Sequence, residues 1–282
     1  MLKKIKNLIY DNRDRHRILI KLTKGIAMRE SRNIDLVNPH SWEFSGFSQN
    51  GEDGIIDILL NKLSIKNHYF IEIGSADGID NNTAWLLFAR SYNGLMIDGN
   101  NNLIERAQRM VLSYSIGLNI SQMFVTRDSV KSLKSLSKFL NPDLFSLDID
   151  GNDYFIANEL FLNGFRPKIF VVEYNSTFGP ENSITIIPDD KFNYLKQHKS
   201  GLYYGVSITA WQKFFFSYGY KFITVDSKGV NAFFVDPQYF DELFLNNIKS
   251  HPFIENEYQY LKFNSNYQDQ FNIIKSMNFT NI

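Results

Sequence analysis

Residues 70 to 83 read FIEIGSADGIDNNT, an apolar run that carries one acid and ends in two glycines four positions apart. Glu72, Gly74 and Gly78 make the pattern E-x-G-x-x-x-G, and glycine both tolerates a tight turn and lets backbone approach a ligand closely. A dinucleotide fingerprint, G-x-G-x-x-G, would need glycine at 74, 76 and 79, but Ala76 and Ile79 stand there. The turn therefore lacks a pyrophosphate cradle. Twenty residues past Gly78, Asp98 closes the run GLMIDG (94 to 99), where a carboxylate can accept both hydroxyl protons of a ribose. A nucleoside with no phosphate to be held is the implied ligand.

Three further runs resemble this one. HYFIEIG (68 to 74), GLMIDG, DLFSLDID (143 to 150) and KIFVVEYN (168 to 175) each read as a buried strand with acids or glycine at its carboxyl end. Helical patterns separate them: NTAWLLFARSY (82 to 92), NLIERAQRMVLSY (102 to 114), SVKSLKSLSKFL (129 to 140) and DYFIANELFLNG (153 to 164). Alternation of this kind predicts an α/β fold with a doubly wound, mostly parallel sheet, whose ligands bind beyond the carboxyl ends of the strands. YKFITV and VNAFFV flank DSKG (226 to 229) and predict an antiparallel hairpin closing one edge.

Composition narrows the function. With 44% hydrophobic and 15% aromatic residues in 282, the chain can bury a real core, which excludes global disorder. Thirty basic against thirty acidic residues leave no overall positive field, so nucleic acid is not an expected partner. The absence of cysteine removes disulfides, thiolate nucleophiles and Cys-ligated zinc, and suits a cytoplasmic enzyme.

Charge is nevertheless uneven. Residues 1 to 32 hold ten Lys and Arg against Asp11, Asp14 and Glu30, which leaves the remainder net acidic. Apolar residues at Leu2, Ile5, Leu8 and Ile9, then at Ile18, Leu19, Leu22 and Ile26, fit a helix with a basic face. We read residues 1–38 as a basic helical extension and 39–282 as a single domain. The extension either packs on the domain or a homodimer mate, or meets an anionic membrane surface or another partner. Charges interrupt its apolar runs too often for a signal peptide, and no later run is long enough to cross a bilayer.

LFSLDIDGNDYF (144 to 155) crowds three aspartates at one strand end. As a calcium loop it would place Asp148, Asp150 and Asn152 at positions 1, 3 and 5 and Glu159 at 12. Position 6 then needs glycine but holds Asp153, and a strand precedes where a helix should. As a phosphatase nucleophile motif, D-x-D-G fits locally but arrives mid-chain. As the D-x-D of a metal-dependent glycosyltransferase, Asp148 and Asp150 would hold a metal and a nucleotide-sugar diphosphate, which leaves the glycine turn and Asp98 unexplained. Asp153 reads as a helix N-cap.

In their joint order, FSQNGEDGII, FIEIGSADG, GLMIDGN, SLDIDGNDY, VVEYN and YYGVSI with GVNAFFV resemble the class I S-adenosylmethionine-dependent methyltransferases over about residues 45 to 240. More narrowly, they resemble the FkbM-like group of sugar and surface-polysaccharide (capsule and O-antigen) O-methyltransferases. The resemblance implies that Glu72, Gly74, Ser75 and Gly78 line the methionine part of S-adenosylmethionine and that Asp98 holds its ribose. It implies that Asp128, backed by Ser129, accepts from the adenine amino group, and that Gln49 and Glu52 contact the cofactor from a covering loop. As a plain alternative, Asp128 and Ser129 cap the helix that follows. The acceptor would be a saccharide or nucleotide sugar.

By likeness to metal-dependent sugar and catechol O-methyltransferases, Asp148, Glu173 and Asn175 are the expected ligands of Mg²⁺. Asp150 would be a fourth ligand or a partner of the acceptor hydroxyl. Where relatives carry a second acid, this chain has Asn175, so direct binding of the acceptor by carboxylates stays open. His198, in KQHKSGLYYG, is the candidate general base, its ordinary pKa suiting proton removal at neutral pH; the alternative is a loop histidine. Tyr203 and Tyr204 line the acceptor pocket or fill core.

Overall fold

The computed structural model describes residues 2–112 and 117–282. A long helix, α1 (Leu2–Ser31), leads through a 3-10 turn at Pro39–Trp42 to α2 (Glu52–Lys62). Then follow β1 (Tyr69–Ile73), α3 (Ala84–Arg90), β2 (Asn93–Asp98), α4 (Asn101–Met110) and β3 (Leu118–Gln122). Next come α5 (Val130–Leu136), β4 (Leu144–Leu147), α6 (Asp153–Leu162), β5 (Ile169–Glu173) and β6 (Ile184–Ile186). The chain ends with α7 (Tyr194–Gln197), α8 (Ile208–Ser217), β7 (Lys221–Val225), β8 (Asn231–Val235), α9 (Glu242–Asn247), α10 (Glu257–Phe263), α11 (Tyr267–Ile274) and β9 (Phe279–Asn281).

Seven strands form one sheet in the order β3-β2-β1-β4-β5-β8-β7. The first five are parallel, and β8 runs antiparallel to both β5 and β7. This is the doubly wound, mostly parallel α/β sheet expected, with its antiparallel hairpin at one edge. The four apolar runs all became strands, and each predicted helix has a counterpart. The last two residues of the helix predicted to 114 lie outside the described residues. β3 was not foreseen, and a second two-stranded sheet pairs β6 with β9.

Strand alternation sorts side chains to two faces. Phe70, Leu144, Val171 and Phe233 pack one face against α2, α3 and α4; Ile71, Ile73, Phe145, Leu147 and Val172 pack the other against α5, α6 and α8. A third, smaller core around Phe178, Ile186 and Leu202 supports β6 and β9.

The basic helix is docked on the body. Buried Asp14 takes Arg106 of α4 at 2.6 Å, Arg17 bonds Asp77 at 2.6 Å and also Asp80, and Lys21 meets Asp80 at 2.6 Å. The would-be Cβ of Gly25 lies 2.9 Å from the Cα of Gly46, so only a small residue lets α1 lie this close. Of the apolar face expected on α1, Leu2, Ile5, Leu8 and Ile9 lie outside the residues whose side chains are described; Ile18 is buried and Leu22 packs on the core, whereas Leu19 and Ile26 are exposed. No helix among the described residues is long and apolar enough to cross a membrane.

Candidate active site

The chain leaves β1 toward β2 and β3 on one side, then returns to place β4 on the other. That reversal opens a crevice between the carboxyl ends of β1 and β4. A cavity of about 600 Å³ fills it, within the usual range for a small-molecule site. Its floor is Ile73 and Gly74, its far side Asp98 to Asn100, one wall Met123 to Val125, and the opposite wall Asp148 to Asn152 with Phe192.

The turn after β1 is built by backbone. Gly74 has φ +88°, and a Cβ there would stand 1.7 Å from the carbonyl oxygen of Asp148. Its missing side chain therefore lets β1 and β4 close on each other, in addition to lining the cavity. The amides of Gly74 and Ser75 both donate to the Ile97 carbonyl, at 2.8 and 3.0 Å. Asp98 fixes the rim, accepting from the Ala76 amide at 2.9 Å and the Asn100 amide at 2.7 Å. Each carboxylate oxygen so bound keeps a further lone pair for a ligand hydroxyl.

Glu72 and its companions brace the turn from behind. The Glu72 carboxyl accepts from the Thr83 hydroxyl and the Asn82 amide, and burial pushes it up to about 7. Ser75 is fully buried, and Gly78 packs against Val111 and Met96. Of the four residues expected around the methionine part of the cofactor, only Gly74 lines the cavity.

The acids at the β4 and β5 ends converge. Oxygens of Asp148, Asp150 and Glu173 lie within 4.8 Å of one another. Burial, and then the charges of Asp150 and Asp153, push the Asp148 carboxyl well above the ordinary carboxylate range; burial and Asp148 do the same to Glu173. Asp150 is pushed up to about 6, by burial and then by Asp153. It holds φ +54°, a left-handed conformation costing a non-glycine residue on the order of 1 kcal/mol. Like charges this close are stable only if they share protons or hold a cation. Oxygen donors from three carboxylates suit a hard divalent ion.

Asn175 does not join this set. Its Nδ2 donates to the carbonyls of Leu202 and Tyr204 at 2.8 and 2.9 Å, and its Oδ1 accepts from the Thr177 amide at 3.0 Å. The strand ends at Glu173, and Asn175 caps the 3-10 turn Ser176–Phe178 instead. Asp153 is the first residue of α6 and not its cap. It accepts from the amides of Ile149 and Gly151, at 2.9 and 2.8 Å, and so shapes the loop that presents Asp150.

Other expected residues lie apart from the cavity. Exposed Gln49 lines a separate groove beside α1. Buried Glu52 accepts from the Asn50 amide and from the Asn231 side chain, at 2.6 and 2.7 Å. Asp128 is exposed on a turn before α5; Ser129 stands at the N-cap position of that helix, but its hydroxyl bonds Thr126 and makes no capping bond, and neither residue lines the cavity. The chain crosses the cavity earlier, at Met123 to Val125. The His198 ring accepts from the Ser200 amide at 3.2 Å, bonds the Ser200 hydroxyl at 2.7 Å, and does not line the cavity.

The two tyrosines divide. Tyr203 fills the small core, its hydroxyl accepting from the Ile187 amide. The phenol of Tyr204 is raised by burial and then by the charges of Glu173, Asp150 and Asp148; that of Tyr194 is raised by burial and then by the same three charges. Their rings are 6.0 Å apart. Tyr194, Phe192 and Met123 to Val125 were not anticipated, since nothing local distinguishes such residues from ordinary core aromatics and aliphatics.

No family model matches the chain, and no curated protein matches it. Among solved structures it is similar to an O-methyltransferase from Bacillus cereus in complex with SAH, at 14% identity over 78% of this chain and 89% of that one, TM-score 0.42. It is also similar to the O-methyltransferase TomG from Streptomyces achromogenes in complex with SAM, at 14% identity over 74% and 93% of the two chains, TM-score 0.42. A SAM-dependent methyltransferase from Thiobacillus denitrificans in complex with S-adenosyl-L-homocysteine follows at 15% identity over 60% and 64%, TM-score 0.34. With likenesses of this strength, the Rossmann-like fold rests on the strand order and directions of the sheet itself.

Proposed function

We propose that this protein is an S-adenosylmethionine-dependent O-methyltransferase. It acts on a hydroxyl of a saccharide or related small polar acceptor, in the manner of the FkbM-like enzymes of surface-polysaccharide synthesis, and in the cytoplasm. One observation carries the reading: a single crevice at the sheet's reversal point has a ribose-competent carboxylate, Asp98, at one end and converging acids at the other.

The residues present fit such a donor. Asp98 has lone pairs free for two ribose hydroxyls, and Met123, Phe124 and Val125 offer an apolar wall for a purine. When bound, the donor supplies an electrophilic methyl on a sulfonium. Gly74 leaves room for it at the floor, and Phe192, whose ring lies over Gly151, helps exclude water. Asp148 and Asp150 face the same space and can orient an acceptor hydroxyl and take its proton, so the base role passes from His198 to this pair. Tyr194 and Tyr204, whose phenols feel the charge of these acids, would be walls for an acceptor ring.

In the metal-assisted alternative, Asp148, Asp150 and Glu173 would instead hold Mg²⁺, which when bound would acidify an acceptor hydroxyl. The glycosyltransferase alternative would use the same acids for a metal-bridged diphosphate but gives Asp98 and the β1 turn no task. Calorimetric titration with S-adenosylhomocysteine, followed by transfer of labelled methyl to candidate saccharides, tests the proposal. Sugar transfer from a nucleotide sugar by a chain that takes up no S-adenosylhomocysteine would overturn it.

A further inference from the structure

A groove of about 960 Å³ lies between α1 and the loop that carries Ser45, Gly46, Ser48 and Gln49, with Tyr258 of α10 on its rim. Arg13, Arg17, Lys21 and Lys24 line it from one face of α1, and His16 joins them. At 1.5 Å per residue the row from Arg13 to Lys24 runs about 16 Å. Asp80 is the acid in this groove, and Arg17 and Lys21 already neutralise it. Arg13 and Lys24 are exposed and form no ion pair among the described residues. The groove therefore keeps a net positive charge that the docking of α1 does not use.

Its other wall is held rigid. One oxygen of Asp53 accepts from the amides of Gly46, Phe47 and Ser48, at 2.8, 2.7 and 3.0 Å. Both walls also reach the acids of the active site. Gln49 adjoins Asn50, which is bonded to Glu52, which in turn is held by Asn231 beside Glu173. Tyr258 adjoins Gln259, which donates to the hydroxyl of Tyr204 at 3.0 Å. These bonds tie both walls to the acids through the protein, while the groove and the cavity share no lining residue, so a ligand serving both must be an extended one.

We propose that this groove binds phosphate groups of the acceptor, making the substrate class a saccharide joined to a phosphate or diphosphate. The assignment rests on the acid cluster being the acceptor end of an O-methyltransferase. The acids would repel the phosphates of such a substrate, and the α1 row attracts them.

The test is binding, not turnover. Inorganic pyrophosphate is titrated into the full chain, into Arg13→Glu/Lys24→Glu, and into Arg15→Glu/Lys131→Glu, which carries the same charge change on exposed residues outside the groove. The groove pair should bind at least about tenfold more weakly than the other two. Equal affinity in all three, or no binding by the unaltered chain, overturns the proposal. Cosedimentation with phosphatidylglycerol vesicles gives the source: pyrophosphate-displaceable binding that the groove pair loses marks a lipid-linked phosphate, and no sedimentation marks a soluble one. S-adenosylhomocysteine titrated into the same three proteins separates the two readings. Its failure to bind would count against the methyltransferase and leave the phosphate result standing.

Discussion

Asn231 on β8 faces Glu173 on β5 across the antiparallel pair and donates its side-chain amide to Glu52 at 2.7 Å. One strand residue thus ties the loop of residues 48 to 53 to the row of acids at the strand ends. Replacing Asn231 with Leu leaves buried Glu52 short of a donor. The expected loss is about 1–3 kcal/mol of unfolding free energy, measured by urea denaturation. Wild-type stability in this variant would mean that the loop is held by something else.

At the acid cluster, stability and activity should oppose each other. Asp148→Asn removes one of three crowded carboxylates while keeping its shape. In EDTA the variant should melt about 2–4 °C above wild type, while methyl transfer falls by roughly 100-fold or more. Added Mg²⁺ should raise the melting temperature of the wild type and leave the variant nearly unmoved. A variant that melts lower in EDTA would show that the carboxylates are not in conflict.

Asp98 has two tasks that one pair of variants separates. Asp98→Asn keeps one acceptor oxygen for the Ala76 or Asn100 amide, whereas Asp98→Ala keeps none. S-adenosylhomocysteine affinity should fall by about tenfold in the first and further in the second, each lost charge-assisted bond being worth about 1.5–3 kcal/mol. Calorimetry reads this directly, and unchanged affinity in Asp98→Ala would remove Asp98 from the cofactor site.

His40 and His251 stack face to face with ring centroids 3.7 Å apart and planes 9° apart. His40 donates from Nε2 to the Val225 carbonyl and His251 from Nε2 to the Asn38 side chain, and the pair joins the segment before α2 to the one after α9. Burial lowers both pKa values, and the neighbouring ring lowers that of His251 further. A histidine with a depressed folded-state pKa adds stability above its ordinary value of 6.5 and loses it as pH falls. Wild type should therefore lose more thermal stability between about pH 7.5 and 5.5 than His251→Phe, which keeps the stack and removes one charge. Parallel melting profiles would dismiss the pair as a pH-sensitive clasp.

The chain's own pattern determined the architecture. Four apolar runs ending in acids or glycine, with helical periodicity between them, can only be buried as a parallel sheet between helices, and DSKG forces the hairpin. The same reasoning placed Asp98 and the acids at strand ends on one rim, because strand direction and the two-residue alternation are local properties. β3 escaped notice since LNISQ is a half-exposed edge strand, and β6 and β9, three residues each, exist only by finding each other across the chain.

Tertiary structure decided which loop residues meet the cavity. Asn175 turned from a candidate ligand into a clamp because the carbonyls of Leu202 and Tyr204 lie beneath it. His198 settled on Ser200, and Asp128 was left in solvent because the chain crosses the cavity at Met123 to Val125. A loop side chain takes whichever donor or acceptor folding brings within 3 Å or so, and for Asn175 that neighbour lies 27 to 29 residues away in sequence.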